Sequence, residues 1–240
     1  RTAQDAAPLI FDLGFNNGAD TALYLQHGYR VLAVEANPKL VETGNRQFAG
    51  AIAAGRLKLL SSGIASGEQM DAAASSAASD KTTVNLPFLP FYVNKAHDLW
   101  SSFNKETGCR HVPKAPPPHC EIIEVPLTQC SELFAEHGVP WIMKLDYEDG
   151  ESQEACIATL HLVKPIQRPR YIIDAENDHI LTLIDLGYIR FKMVCQTDDV
   201  KKVDWGHSSG AFGEFSLDVE LNWKWRVFNH SKSNTEQFAA

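Results

Sequence analysis

No stretch of this 240-residue chain approaches the roughly 20 consecutive apolar residues that cross a bilayer, so a membrane partner is not expected. Basic charge is short as well: 22 Lys and Arg stand against 30 Asp and Glu, a formal net charge of −8. Nonspecific nucleic-acid binding needs a basic face to displace counterions, so that class of partner is not expected either. Cysteine is scarce, odd in number and never arranged as CxxC: Cys109, Cys120, Cys130, Cys156 and Cys195. Free thiols in a reducing, cytoplasmic setting are the simplest reading. Arg1 to Pro8 lack the apolar core of a signal peptide, and the first residue is not Met, which reads as a processed or trimmed chain. Asn229-His230-Ser231 fits the glycosylation triplet, which means nothing in a cytosol. Repeats of solenoid period are absent.

What is present is an ordinary globular balance, 44% hydrophobic and 22% charged, in a chain long enough to bury a core without metal or disulfide staples. Short apolar runs alternate with helical stretches. Leu9–Leu13, Arg30–Glu35 and Leu57–Leu60 read as buried strands, and Ala19–Gln26 and Pro38–Phe48 as helices. Strand–helix–strand at this pace means βαβ units and a parallel sheet.

The rhythm breaks at Ser66–Thr83, a small-residue tract that reads as a mobile surface insertion. Phe88–Val93 is β-prone, and Asn104–His119, with Pro116, Pro117 and Pro118, reads as a long loop of the kind that forms lids. The rhythm then returns: strands at Glu121–Val125, Trp141–Asp146, Arg170–Asp174 and Tyr188–Val194, and helices at Ser131–His137, Ser152–Val163 and His179–Leu186. One α/β domain over 1–240 is expected, with 66–120 as a lid-like insertion and 215–240 as a C-terminal tail.

Asp12-Leu-Gly-Phe-Asn-Asn-Gly18 follows the first strand and opens a helix. Gly14 and Gly18 let the backbone turn sharply and approach a ligand. Glu35 ends the next strand about 20 residues on, where a carboxylate accepts hydrogen bonds from a ribose diol. The middle glycine of a pyrophosphate fingerprint is missing, and an acid beside the turn repels a pyrophosphate but suits a cationic amino-acid group. The pattern favours S-adenosylmethionine over NAD, against the plainer reading of a tight turn without ligand.

These residues also carry a family resemblance. Phe11-Asp-Leu-Gly-Phe-Asn-Asn-Gly-Ala-Asp-Thr21 and Val34-Glu-Ala-Asn-Pro38 resemble the start of FkbM-type S-adenosylmethionine-dependent methyltransferases. Met143-Lys-Leu-Asp-Tyr-Glu-Asp-Gly-Glu151 is similar to that family's Lys-Ile-Asp-x-Glu-Gly-x-Glu block, although Asp149 stands where the family usually has Gly. Arg168-Pro-Arg-Tyr171, Gly187-Tyr188, Phe191-Lys192 and Ser209-Gly-Ala-Phe-Gly-Glu214 resemble its C-terminal blocks. The likeness runs in order over about residues 9–214 and is weakest over 66–120. It implies a Rossmann-like class I methyltransferase fold, with a mostly parallel central sheet, helices on both faces and a central insertion. It also implies methyl transfer to a small-molecule hydroxyl of a sugar, polyketide or related metabolite. By position, Asp12, Gly14, Gly18 and Glu35 would bind the cofactor, with Asn17 and Asn37 nearby. Gly63, Ile64 and Ala65 would flank the adenine, and Ser101-Ser102 resembles a family serine pair.

Methyl transfer requires alignment with the acceptor, exclusion of water and a group to take the acceptor's proton. Lys144 and Asp146, two apart on a strand, share a face, and Glu148 would continue it. Asp146 is the candidate base, also counted among cofactor contacts, and Lys144 would polarise the hydroxyl or hold an anionic substrate. The plainer alternative is an ion pair at a strand end. Asp146 with Asp174, Glu176 or Asn177 from the next strand end would make an oxygen-rich Mg²⁺ or Ca²⁺ site, against the alternative of an acidic helix start. His179 and His207 are further base candidates. Cys109-Arg-His111 and His119-Cys120 bracket the proline loop and invite a zinc or disulfide reading, neither favoured by standard spacing or by the expected compartment. Trp100, Phe103, Phe212, Trp223 and Trp225 are candidate pocket linings or plain core. Competing functions are an NAD(P)-linked oxidoreductase, weakened because Tyr92-Val-Asn-Lys95 is one residue short of Tyr-x-x-x-Lys, and an inactive cofactor-binding interaction domain.

Overall fold

Among the described residues, strands β1 (Leu9–Leu13), β2 (Arg30–Glu35), β3 (Leu57–Ser61), β4 (Gly63–Ile64), β5 (Phe88–Asn94), β6 (Cys120–Thr128), β7 (Ile142–Leu145) and β8 (Tyr171–Ile173) are interspersed with eight α-helices. These are α1 (Ala19–Gln26), α2 (Pro38–Gln47), α3 (Ala49–Ala53), α4 (Gly67–Ala77), α5 (Lys105–Gly108), α6 (Cys130–His137), α7 (Gly150–Ala158) and α8 (Ile180–Asp185). The computed structural model describes residues 7–77, 87–111, 113, 116–147, 149–173, 179–189 and 191. The chain divides into two compact units, Arg1–Thr182 and Leu183–Ala240. Every strand named above lies in the first. In the second, the turn that follows α8 has Gly187 at φ 92°, its N–H donating to Ile184 O and the Tyr188 N–H to Leu183 O.

Five strands form a wholly parallel sheet in the order β3-β2-β1-β7-β8. Interior parallel strands are covered on both faces, which is why LIFDL and RVLAVE are almost continuously apolar. Ile10, Phe11, Leu13, Met143 and Leu145 are completely buried. Flanking helices make this an α/β fold compatible with a Rossmann-like arrangement. The chain builds outward from β1 to β3 and later returns to add β7 on the other side of β1. The reversal leaves a crevice at the carboxyl ends of β1 and β7, where ligands bind in open α/β sheets. On one side of the sheet, Phe15 and Phe48 meet edge-on with centroids 5.8 Å apart, within a cluster that includes Leu25, Val31, Ala33 and Leu57. Each such ring contributes about 1.5–3 kcal/mol through burial.

A second sheet, β4-β6-β5, pairs β4 parallel and β5 antiparallel to β6. It corrects the expectation for Ser66–Thr83: residues 67–77 are helical, while 78–83 lie outside the described residues. Ser66 and Gln69 cap α4 reciprocally, the Ser66 N–H donating to Gln69 Oε1 and the Gln69 N–H to Ser66 Oγ. Ala73 packs with Ala65 and Leu127, beneath Met70, Leu89 and Phe103. Ala73 is thus the small side chain that α4 buries, while Ala72, Ala74 and Ser75 stay exposed. The Asn104–His119 stretch contains α5, started by Asn104 Oδ1 accepting from the Glu106 and Thr107 amides. The helix foreseen over Ser152–Val163 ends at Ala158 and tightens into a 3₁₀ turn, Thr159–Leu162. Tyr188 and Ile189 are not in a strand, and 190 and 192–194 lie outside the described residues.

The cysteines are the second correction. Cys109 is bonded to Cys120, tying the end of α5 to β6, and Cys130 to Cys156, tying α6 to α7. Free thiols are the expectation from an odd count without CxxC in a reducing compartment, against which a Cys109–Cys120 disulfide is the disfavoured alternative. The fold does so by bringing their Cα atoms to 4.8 and 5.2 Å, inside the range a disulfide spans. Among the described residues no helix is long and apolar enough to cross a membrane.

Candidate functional site

The turn after β1 is shaped from within. Gly14 has φ 92°, and both its N–H and that of Phe15 donate to Val34 O at 3.0 Å. A Cβ at Gly14 would fall on the Asp146 carbonyl, so only glycine lets this turn lie against the end of β7. Gly18, at φ 77°, has the Phe15 and Phe48 rings where its Cβ would be. Both glycines are therefore demanded by the protein's own backbone and packing.

Lys144 is the centre of the site. Its register partner across β1–β7 is Asp12, and its side chain is only 4% exposed. Nζ lies 2.9 Å from Asp146 Oδ2, 3.1 Å from Asp20 Oδ2 and 3.4 Å from Asp12 Oδ1. It also reaches Gly14 O at 3.5 Å. Burial pulls the ammonium's pKa down, but Asp12, Asp146 and Asp20 outweigh it and hold the pKa above the usual lysine range. Lys144 thus stays charged, with its donors directed at protein oxygens. Asp12 is completely buried. Thr21 Oγ1 donates to its Oδ2 at 2.5 Å, and its Oδ1 has Lys144 beside it but no well-aligned hydrogen bond. Burial raises its pKa above the ordinary carboxyl value, against the pull of Lys144 and Thr21. Asp12 therefore acts through Lys144. The carboxylates that meet solvent are Asp20 and Asp146, with side chains 49% and 50% exposed.

Glu35, at the end of β2, is buried and accepts backbone hydrogen bonds on both oxygens. The Asn16 N–H donates to Oε2 at 2.8 Å and the Asn37 N–H to Oε1 at 2.7 Å. Asn16 reaches it from a left-handed conformation, φ 50°. Burial raises the Glu35 pKa, with the Asn37, Asn16 and Ala36 amides opposing. A carboxylate offers about four acceptor positions, so with these amides in place Glu35 keeps capacity for a hydroxyl donor such as a ribose hydroxyl. Asn37 and Asn17 have local duties: Asn37 Oδ1 caps α2 through the Lys39 amide, and Asn17 Oδ1 accepts from the Ala19 amide. Gly63 lies against the Phe103 ring and Ile64 is buried in β4. Ser102 is buried, bridges to Tyr92 and accepts from the Asn104 amide.

The structure thus brings Asp12, Gly14, Lys144 and Asp146 together, with Glu35 joined to them through the Val34 carbonyl beneath the turn. His179 is buried with Nδ1 unpartnered. His207, Asp174, Glu176, Asn177 and Glu148 lie outside the described residues. Among the described residues no group of three or more His, Cys, Asp or Glu forms a metal-holding cluster. Sequence reasoning passed over Asp20, Thr21 and Asn16. An acid and a hydroxyl in the first turn of the helix after the glycine turn were the available signal for the first two. It also passed over the links from α4 to α7: Ser66 Oγ donates to Glu151 Oε1 at 2.6 Å, and Gln69 Nε2 to Asp149 Oδ2 at 3.1 Å.

Chemically, the mouth presents carboxylates around one buried ammonium. That arrangement attracts cationic and hydroxyl-bearing groups and repels pyrophosphate. No protein-family model and no curated protein matches the chain.

Proposed function

We propose that the chain is an S-adenosylmethionine-dependent methyltransferase acting on a hydroxyl of a small molecule. The observation that carries the reading is the placement of carboxylates at the ends of β2 and β7 and in the first turn of α1: Glu35 with capacity for a further donor, and Asp20 and Asp146 half-exposed beside Lys144. A cofactor with a ribose diol and a cationic amino-acid group suits this mouth better than a dinucleotide. The ordered resemblance over about residues 9–214 supports the same reading.

Glu35 would hold the ribose hydroxyls. Bound S-adenosylmethionine supplies an electrophilic methyl group. Asp146 would take the acceptor's proton at a carboxylate oxygen, while Lys144 fixes the orientation of that carboxylate and Asp12 fixes Lys144. One observation favours a non-catalytic binding module: Lys144 already occupies Asp146 Oδ2. Two disulfides also remove the ground for a cytoplasmic location. Such bonds persist in oxidising compartments, so we place the chain in one, with its cofactor and acceptor.

Calorimetry with S-adenosylhomocysteine and with NAD⁺ tests the proposal. Saturable binding of the first and none of the second is expected. Binding of NAD⁺ alone, or of neither, overturns it.

A further inference from the structure

Two histidines lie inside the loop that the Cys109–Cys120 disulfide closes. His111 lies two residues after one cysteine and His119 directly before the other. Their rings meet at 70° with centroids 4.7 Å apart, and His111 Nδ1 stands 3.1 Å from His119 Nε2. At that distance one ring donates to the other, the tautomer deciding which. We propose that His111 and His119 form an open two-imidazole site for a divalent transition-metal cation of the zinc or copper type.

The spacing suits such an ion. Two metal–nitrogen bonds of about 2.0–2.1 Å, meeting at angles between about 90° and 109°, set their nitrogens roughly 2.9–3.3 Å apart. The donating ring moves its proton to its other nitrogen, and a small rotation of each ring then turns both lone pairs onto a common point. The donors select the metal class: neutral imidazole suits zinc, copper and nickel, whereas magnesium and calcium want oxygen. His119 Nδ1 is buried without a partner, so the ring's polar interaction runs through Nε2 toward His111.

Both histidines are held before any metal arrives. The Lys95 N–H donates to His119 O at 2.9 Å. Asn94 Nδ2 donates to Gly108 O and Arg110 O at 3.1 Å each, anchoring the backbone leading into His111. The disulfide closes the segment covalently. Pre-organisation of this kind lowers the ordering cost of binding. Arg110, the nearest cation along the chain, lies over the Trp100 ring at 5.1 Å, in its own contact. His111 is exposed, so coordination positions remain open to water or an incoming ligand.

The test titrates Zn²⁺ and Cu²⁺ into the full chain with its disulfides intact, by calorimetry, with paramagnetic resonance of the copper form. One equivalent with hyperfine splitting from two imidazole nitrogens is expected. His111→Ala, at an exposed position that leaves folding untouched, should weaken binding at least tenfold, and His119→Gln should do the same. His161→Ala, exposed and elsewhere, should bind as the wild type does. Absence of stoichiometric binding, or wild-type affinity in His111→Ala, overturns the site. Neither result depends on S-adenosylhomocysteine binding.

Discussion

Lys144 and Asp12 face each other in register across β1 and β7, Nζ 3.4 Å from Oδ1, both out of solvent. Breaking a buried ion pair from one side strands the other charge. Lys144→Met should therefore cost about 3–5 kcal/mol, read as a lowered urea midpoint. Because Asp12 escapes part of that cost by taking a proton, the deficit should shrink toward acid pH. A deficit under about 1 kcal/mol at neutral pH would mean that the ammonium is not what balances Asp12.

Glu35 gives a pH dependence with a definite sign. Burial holds its folded pKa above the ordinary value of 4.5, so the folded state binds the proton more tightly than the unfolded state. Its contribution to stability is greatest below that ordinary value and declines as pH rises through the folded one. Glu35→Gln should flatten this slope in urea midpoints measured from about pH 4 to 7. It should also lower stability throughout, because an amide cannot accept both the Asn16 and Asn37 N–H groups. Parallel slopes in the two proteins would place the titration elsewhere.

Gly14 and Gly28 both have positive φ, 92° and 83°, but only Gly14 has backbone where a Cβ would go. Gly28→Ala should cost about 1–2 kcal/mol from the left-handed backbone. Gly14→Ala should cost clearly more, as a lower thermal midpoint, because Asp146 must move. Equal losses would remove the close approach from the account.

The two disulfides should appear in non-reducing peptide maps as Cys109–Cys120 and Cys130–Cys156. Replacing Cys130 and Cys156 by Ser should cost about 2–4 kcal/mol. Alkylation of Cys130 in the folded, unreduced protein would contradict the assignment.

Asp146→Asn should lower turnover about 10²-fold or more, with a much smaller effect on S-adenosylhomocysteine affinity. Unchanged turnover would leave Asp146 as a partner of Lys144 only.

Local structure was legible where local chemistry decided it. Leu9–Leu13, Ala19–Gln26 and Arg30–Glu35 stand at the bounds expected from their apolar runs and the glycines between them. Ser66–Ala77 was not legible by composition. Its alanines looked unable to bury anything, yet the Ser66–Gln69 cap and the hydrophobic neighbours of Ala73 were enough for a helix. The shared face of Lys144 and Asp146 followed from the two-residue period of a strand. That Lys144 also faces Asp12 and Asp20 did not, because it depends on β7 pairing with β1 rather than with a strand near it in sequence.

The sequence by itself determined the parallel α/β rhythm, the glycine turn and the carboxylates at the ends of strands. Those follow from period, backbone permissiveness and chain order, which act over a few residues. Only the tertiary structure decided which cysteines join, that His111 meets His119, and that Asp12 spends its charge on Lys144 rather than on the crevice. These outcomes depend on distances of a few ångströms between atoms that are far apart along the chain in the case of Asp12 and Lys144. No local pattern encodes such distances; the sheet order and helix packing impose them.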